Sequence, residues 1–206
     1  MNLHFQPSQP STFPHLPSDD SALVQVFTPF SVKWLREFCR DVERLYRINP
    51  MLEFVEWRQL DAQTYYMRAH NLSNDQEIDT GIHVEEIDNG LKITYSRGPK
   101  RTTFVKIEPN AKGATLMIAD DYSSLSVAER KRHSAEVDCS LKPWGHELYR
   151  YFQYWKHWSW LPPFRWYTRY LWLKMKPTAR RVAYMLIVVT LFEILVLLGV
   201  VGFFVL

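Results

Sequence analysis

Residues 76–87 read QEIDTGIHVEEI, and their alternation decides the fold. Ile78, Thr80, Ile82 and Val84 fall on one side of an extended chain while Asp79, His83 and Glu85 fall on the other, because successive side chains of a strand point to opposite faces. The next segment repeats the pattern with Leu91, Ile93 and Tyr95, and the preceding one with Tyr65, Met67 and Ala69. One face of the sheet is therefore expected to be covered and the other to be wet.

Working outward, turn signals (NLSND, DNG, SRGPKR and PNAKG) divide residues 53–121 into six strands, at about 53–60, 63–71, 77–88, 91–96, 102–109 and 113–121. Every connection is of hairpin length, which makes the sheet an antiparallel meander. A further strand is expected in SALVQVF, ended by Pro29. Between them, SVKWLREFCRDVERLYRINP has the spacing of a pair of short helices closed by Pro50, with Val32, Leu35, Phe38 and Cys39 on one face and Val42, Leu45 and Tyr46 continuing it after a kink near Asp41. A covering helix is expected from PWGHELYRYFQYWKHW, whose Trp144, Leu148, Tyr151, Phe152 and Trp155 share a face opposite His146, Arg150, Gln153 and His157. A weaker helix is expected over about 126–138.

The element order, together with FTPFSVKWLREFCRDVERLYRINPMLEFVE, resembles the START-like (SRPBCC) superfamily, the helix-grip fold of polyketide cyclases, coenzyme Q-binding proteins and plant Bet v 1 allergens. The resemblance covers about residues 21–158. It implies an α+β fold, a seven-stranded curved antiparallel sheet around a long C-terminal helix, with a cavity for an apolar ligand. The expected lining residues are Tyr65, Met67, Ile82, Val84, Ile93, Tyr95, Val105, Phe152 and Trp155, with loops near Asn71 and Gly98 as gates. The superfamily has no universal catalytic residues to carry over.

The remainder of the chain departs from that pattern. From Val182 to Leu206 only Thr190, Glu193, Gly199 and Gly202 interrupt an apolar run. A helix of about 25 residues is roughly 37 Å long, against a hydrocarbon core of about 30 Å. This is the expected transmembrane helix, a single-pass tail anchor, and no apolar leader is seen in the first 20 residues. Residues 142–181 carry nine Lys or Arg against one Glu, and basic flanks stay on the cytoplasmic side. The expected site is the cytoplasmic (inner) membrane of a bacterium, with the N-terminal domain in the cytoplasm; the alternative is a tail-anchored protein of a eukaryotic organelle.

Thirteen aromatic residues lie between Trp144 and Trp172, more than one covering helix needs. Trp160, Arg165, Trp166, Arg169, Tyr170, Trp172, Lys174, Arg180 and Arg181 read as a membrane-interface segment, since ring edges and cations favour the headgroup layer. A nucleic-acid role for these cations is set aside because the aromatics adjoin a span. Thr190 and Glu193 read as an intramembrane contact with a transmembrane partner or a second copy, because a carboxylate at mid-bilayer costs about 2.5–3.5 kcal/mol. The expected organisation is a flexible arm (1–20), the helix-grip domain (21–158), the interface segment (159–181) and the transmembrane helix (182–206).

No catalytic constellation stands out. The histidines are scattered, Asp120 and Asp121 face opposite sides of a strand, and no phosphate loop, nucleophile elbow or metal-ligand spacing occurs. Cys39 and Cys139 read as reduced and structural. The expectation is a membrane-tethered binding protein for an apolar small molecule such as a lipid, quinone or isoprenoid, with no metal and no cofactor. The alternatives are a non-catalytic auxiliary subunit or assembly factor of a membrane complex, and a cyclase- or hydrolase-type enzyme.

Overall fold

The computed structural model describes residues 21–122 and 139–205; the expected arm and the helix expected over 126–138 lie outside them. The described residues divide between two compact units, Met1–Lys156 and His157–Leu206.

In the first unit, β1 (Ser21–Thr28) leads into α1 (Val32–Arg40) and α2 (Val42–Arg47). Ser31 caps α1 by accepting from the Trp34 amide at 3.2 Å. Asp41 caps α2 by accepting from the Arg44 amide at 3.1 Å, so the expected pair of short helices meets at Asp41. The six further strands are β2 (Leu52–Gln59), β3 (Thr64–Asn71), β4 (Gln76–Ile87), β5 (Gly90–Tyr95), β6 (Thr102–Asn110) and β7 (Gly113–Asp121), each end within one residue of expectation. They form one antiparallel sheet in the order β1-β7-β6-β5-β4-β3-β2, so the first strand closes on the last. A bulge between Phe54 and Glu56 shifts the register so that Phe54 faces Ala69 and Trp57 faces Met67. Gly90 lets β5 approach β6 closely: a Cβ there would lie 1.8 Å from the Val105 carbonyl oxygen.

The inner face carries Val24, Val26, Met67, Ile82, Val84, Leu91, Ile93, Val105, Leu116 and Ile118, all buried. The other face is not uniformly wet. On β7 the outward Thr115, Met117 and Ala119 are buried as well. Met117 is flanked in register by Lys106 and Gln25, and Ala119 by Phe104 and Leu23, large side chains that cover a strand lying inside the sheet.

The covering helix, α3 (Leu141–Trp158), buries Trp144, Leu148, Tyr151 and Phe152 and exposes His146, Arg150 and His157. The Trp144 indole donates to the Leu45 carbonyl at 3.0 Å, joining α3 to α2. Gly145 sets the approach to β1, since a Cβ there would stand 2.3 Å from Val24 Cγ2. The fold is thus α+β, a seven-stranded antiparallel sheet with a long helix after it.

The second unit contains α4 (Pro162–Trp166), a π turn (Tyr167–Leu171), a 3-10 turn (Trp172–Lys174) and α5 (Pro177–Val205). Helix α5 begins at Pro177, five residues before the expected Val182, because Pro fits a first helical turn and the basic TARR that follows continues it. Its stretch Pro177–Val201 has a mean hydropathy of 2.7, long and apolar enough to cross a membrane.

Candidate ligand-binding face

Cross-strand register assembles the sheet part of the expected site. Tyr65, Ile82 and Tyr95 form one row across β3, β4 and β5, and Val84, Ile93, Thr103 and Asp120 form the next across β4 to β7. Met67 and Val105 extend the same face. Tyr65 and Tyr95 are half-buried, and the others of the expected set on these strands are buried.

Phe152 and Trp155 join a different neighbourhood. The Phe152 ring meets Phe38 at 5.0 Å and Phe30 and Trp34 at 6.0 Å, and Trp155 stacks on Tyr151 at 5.9 Å. The Arg44 guanidinium lies 4.7 Å from the Trp155 ring and hydrogen-bonds the Tyr151 hydroxyl. These residues pin α3 to α1 and α2. Asn71, expected near a mobile gate, is buried at the end of β3, and its side chain accepts from the Ser73 amide at 3.0 Å.

A line of polar groups crosses the apolar face. Asp120 is fully buried; its Oδ1 accepts from the Thr103 hydroxyl, and Lys100 Nζ lies 2.7 Å from its Oδ2. Oδ2 makes no hydrogen bond, so the Lys100 contact is an ion pair by distance alone. Thr103 Oγ1 lies 2.9 Å from the Tyr95 hydroxyl, and Tyr95 is hydrogen-bonded in turn to Tyr46 of α2.

The direction of this chain follows from counting hydrogens. Thr103 has one hydroxyl proton and gives it to Asp120, so Tyr95 must donate to Thr103 and Tyr46 to Tyr95. What remains at the inner end is a lone pair on Tyr46 Oη, an acceptor. Burial holds the Tyr46 phenol well above its ordinary range, with the neighbouring Tyr95 adding to the effect, and burial raises Tyr95 too. Both stay neutral hydroxyls at physiological pH. The inner end is aromatic: the Tyr46 ring meets Trp144 at 5.3 Å and Trp57 at 5.8 Å, and Trp57 meets Tyr65 at 5.7 Å.

Sequence reading missed Tyr46, Lys100, Thr103 and Asp120 as members of this site. Asp120 and Asp121 do face opposite ways, as expected, yet the partner of Asp120 comes from β6 and not from its neighbour. The available signal was Leu116, Ile118 and Asp120 in strict alternation, which carries the carboxylate onto the covered face.

A separate cleft of about 120 Å³ is lined by Arg36, Cys39, Arg40, Glu86, Ile87, Asp88, Gly90, Leu91 and Ile107. Ligand pockets usually measure about 300–1,000 Å³. Arg40 is engaged there with Glu37 at 2.7 Å and Glu86 at 2.9 Å. Burial pushes the Cys39 thiol up to about 12, which leaves it a poor nucleophile. His83 is exposed on its strand, and among the described residues no three His, Cys, Asp or Glu side chains converge as a metal site.

With this geometry in place, comparison with known proteins adds likenesses of shape only. No protein-family model matches the sequence, and no curated protein matches it. Among solved structures, a Rhodobacter sphaeroides protein is similar at 10% identity and a TM-score of 0.46, covering 66% of this chain and 93% of its own. A Thermus thermophilus protein is similar at 15% identity and a TM-score of 0.44, covering 62% and 94%. The AHSA1-like protein from Aeromonas hydrophila is similar at 10% identity and a TM-score of 0.39, covering 62% and 91%. The fold assignment rests on this chain's own strand order and register.

Proposed function

We propose that this chain is a membrane-tethered binding protein for an apolar molecule, a lipid, quinone or isoprenoid, held or presented at the membrane surface by a START-like domain. The observation that carries the reading is the polar chain from Lys100 to Tyr46 on a largely apolar inner face. Packing alone does not need such groups, since burying polar atoms stabilises a core only when they are fully paired. An acceptor presented among Tyr46, Trp57, Tyr65 and Trp144 suits an apolar ligand with one hydrogen-bond donor, such as a hydroxyl. Helix α5 supplies the tether, and the cations before it favour a cytoplasmic domain.

The full chain in lipid nanodiscs is to be titrated with farnesol and with its hydrocarbon counterpart farnesene, following tryptophan emission. Saturable binding of farnesol that weakens in Tyr46→Phe is expected, because a phenyl ring has no acceptor. No emission change with either probe sinks the reading.

A second reading, an auxiliary subunit or assembly factor of a membrane complex, is favoured by one observation: Ile82, Ile93, Val105 and Phe152 are 0% exposed, as in a filled core. In that case Thr190 and Glu193 on α5 provide the contact with a transmembrane partner or a second copy.

A further inference from the structure

The second unit exposes an unusual amount of aromatic surface. Trp160 is 72% exposed, Trp166 57% and Tyr170 53%. Arg165, Arg169 and Lys174 are exposed among them, and no Asp or Glu occurs between Glu147 and Glu193. Thr168 and Leu173 of the same segment are buried, so the segment has a packed side and a side that presents rings and cations together.

The joint to α5 is fixed by one residue. Arg180 donates through Nε to the Trp172 carbonyl at 2.9 Å and through Nη2 to the Leu173 carbonyl at 3.1 Å, and its guanidinium lies 4.3 Å from the Trp172 ring centroid. Carbonyls at the end of a helical segment are under-supplied with donors; the Trp172 carbonyl also accepts from the Met175 amide at 3.2 Å, and the buried Arg adds a donor to it and reaches the Leu173 carbonyl. Arg180 is therefore a structural clasp, which removes it from the expected lipid-facing set, whereas Arg181 on the next position is exposed. Lys174 is three residues from Pro177, where the long apolar helix starts, so the clasp holds the ring-and-cation side within about a turn of the start of that helix.

We propose that this elbow, from Trp160 to Lys174, is a second membrane contact that lies in the headgroup layer of an anionic leaflet; it rests on the reading of α5 as the tether. Indole and phenol rings partition to that layer, and each cation near an anionic surface strengthens binding by about fivefold, the equivalent of about 1 kcal/mol. The commitment to lipid over protein or nucleic acid comes from the continuity of the elbow with an apolar helix long enough to span.

The test uses the full chain carrying Cys139→Ser, reconstituted in vesicles of 7:3 phosphatidylcholine to phosphatidylglycerol. An environment-sensitive fluorophore is attached in turn through Trp166→Cys, Tyr170→Cys, Val189→Cys and His83→Cys, with shallow and deep spin-labelled lipids as quenchers. Positions 166 and 170 are expected to be quenched by the shallow lipid, 189 by the deep one and 83 by neither. Substituting Arg165, Arg169 and Lys174 by Gln is expected to lower quenching at 166 and 170 to the level seen in pure phosphatidylcholine. Deep quenching at 189 with 166 and 170 in water would overturn the elbow and leave the tether standing. Equal quenching at 166 in charged and neutral vesicles would overturn its lipid-charge preference, and loss of deep quenching at 189 would overturn the tether itself.

Discussion

Tyr46 of α2 and Tyr95 of β5 share a hydrogen bond across 49 positions of sequence, and through it and Thr103 the helical pair is tied to a buried carboxylate on β7, on the same covered face. Tyr95→Phe breaks the chain in its middle, leaving the Tyr46 hydroxyl and the Thr103 oxygen each short of a partner. A loss of about 1–3 kcal/mol is expected. Thermal unfolding of the wild type, both single Phe variants and the double variant gives the coupling, and an additive double variant would show that the two phenols act independently.

Asp120 and Lys100 form an ion pair that is closed to solvent on the Asp120 side, its carboxylate being 0% exposed. Asp120→Ala leaves the ammonium without its carboxylate and is expected to cost about 3–5 kcal/mol. Replacing both, Lys100→Met with Asp120→Leu, is expected to recover most of that loss. A double variant as unstable as Asp120→Ala would contradict this, as measured by denaturant midpoint.

The tyrosines predict an alkaline limb. Their folded pKa values are raised above the ordinary 10.0, so their contribution is complete below pH 10 and is lost as pH climbs through the folded values. Stability from about pH 10 upward should fall more steeply in wild type than in the double Tyr46→Phe, Tyr95→Phe variant. Parallel curves would exclude a role for these two groups.

Gly145 admits the close approach of α3 to β1. Gly145→Ala places a methyl 2.3 Å from Val24 Cγ2, and valine has little rotamer freedom to yield. A destabilisation of about 1–3 kcal/mol is expected, relieved in part by Val24→Ala. An unchanged melting temperature in the single variant would mean that the helix moves freely against the strand.

Glu193 sits in the apolar part of α5 and is exposed there. A photo-crosslinker at position 193 is expected to capture a transmembrane protein or a second copy from native membranes, and Glu193→Leu to weaken that association. Adducts to lipid alone would rule the contact out.

The strands were legible because period-two alternation and hairpin turns are local signals, and residues 76–87 displayed both. The face buried by α3 was legible for the same reason, from the spacing of Trp144, Leu148, Tyr151 and Phe152. What that face packs against was not, since periodicity gives the direction of a side chain and not its partner. Phe152 and Trp155 accordingly met α1 and α2, where the resemblance had suggested the sheet. The polar chain needed the register of β6 against β7 and the docking of α2, both long-range facts, so Thr103 and Tyr46 passed as ordinary members of their elements. The clasp at Arg180 was hidden by its basic neighbours, among which nothing in composition marks the one that turns inward.

The closure of β1 on β7 joins residues such as Thr28 and Ala114, 86 positions apart. Nearest-neighbour hairpins can zip early, but this pairing must wait for a large loop to close, and loop entropy makes it slow. Until β1 arrives, β7 is a naked edge whose two faces are both apolar, the kind of template on which chains mispair with one another. The folding rate of this domain is therefore expected to be governed by the eight residues of β1, and chains in which that strand has not yet docked are the ones at risk of aggregation.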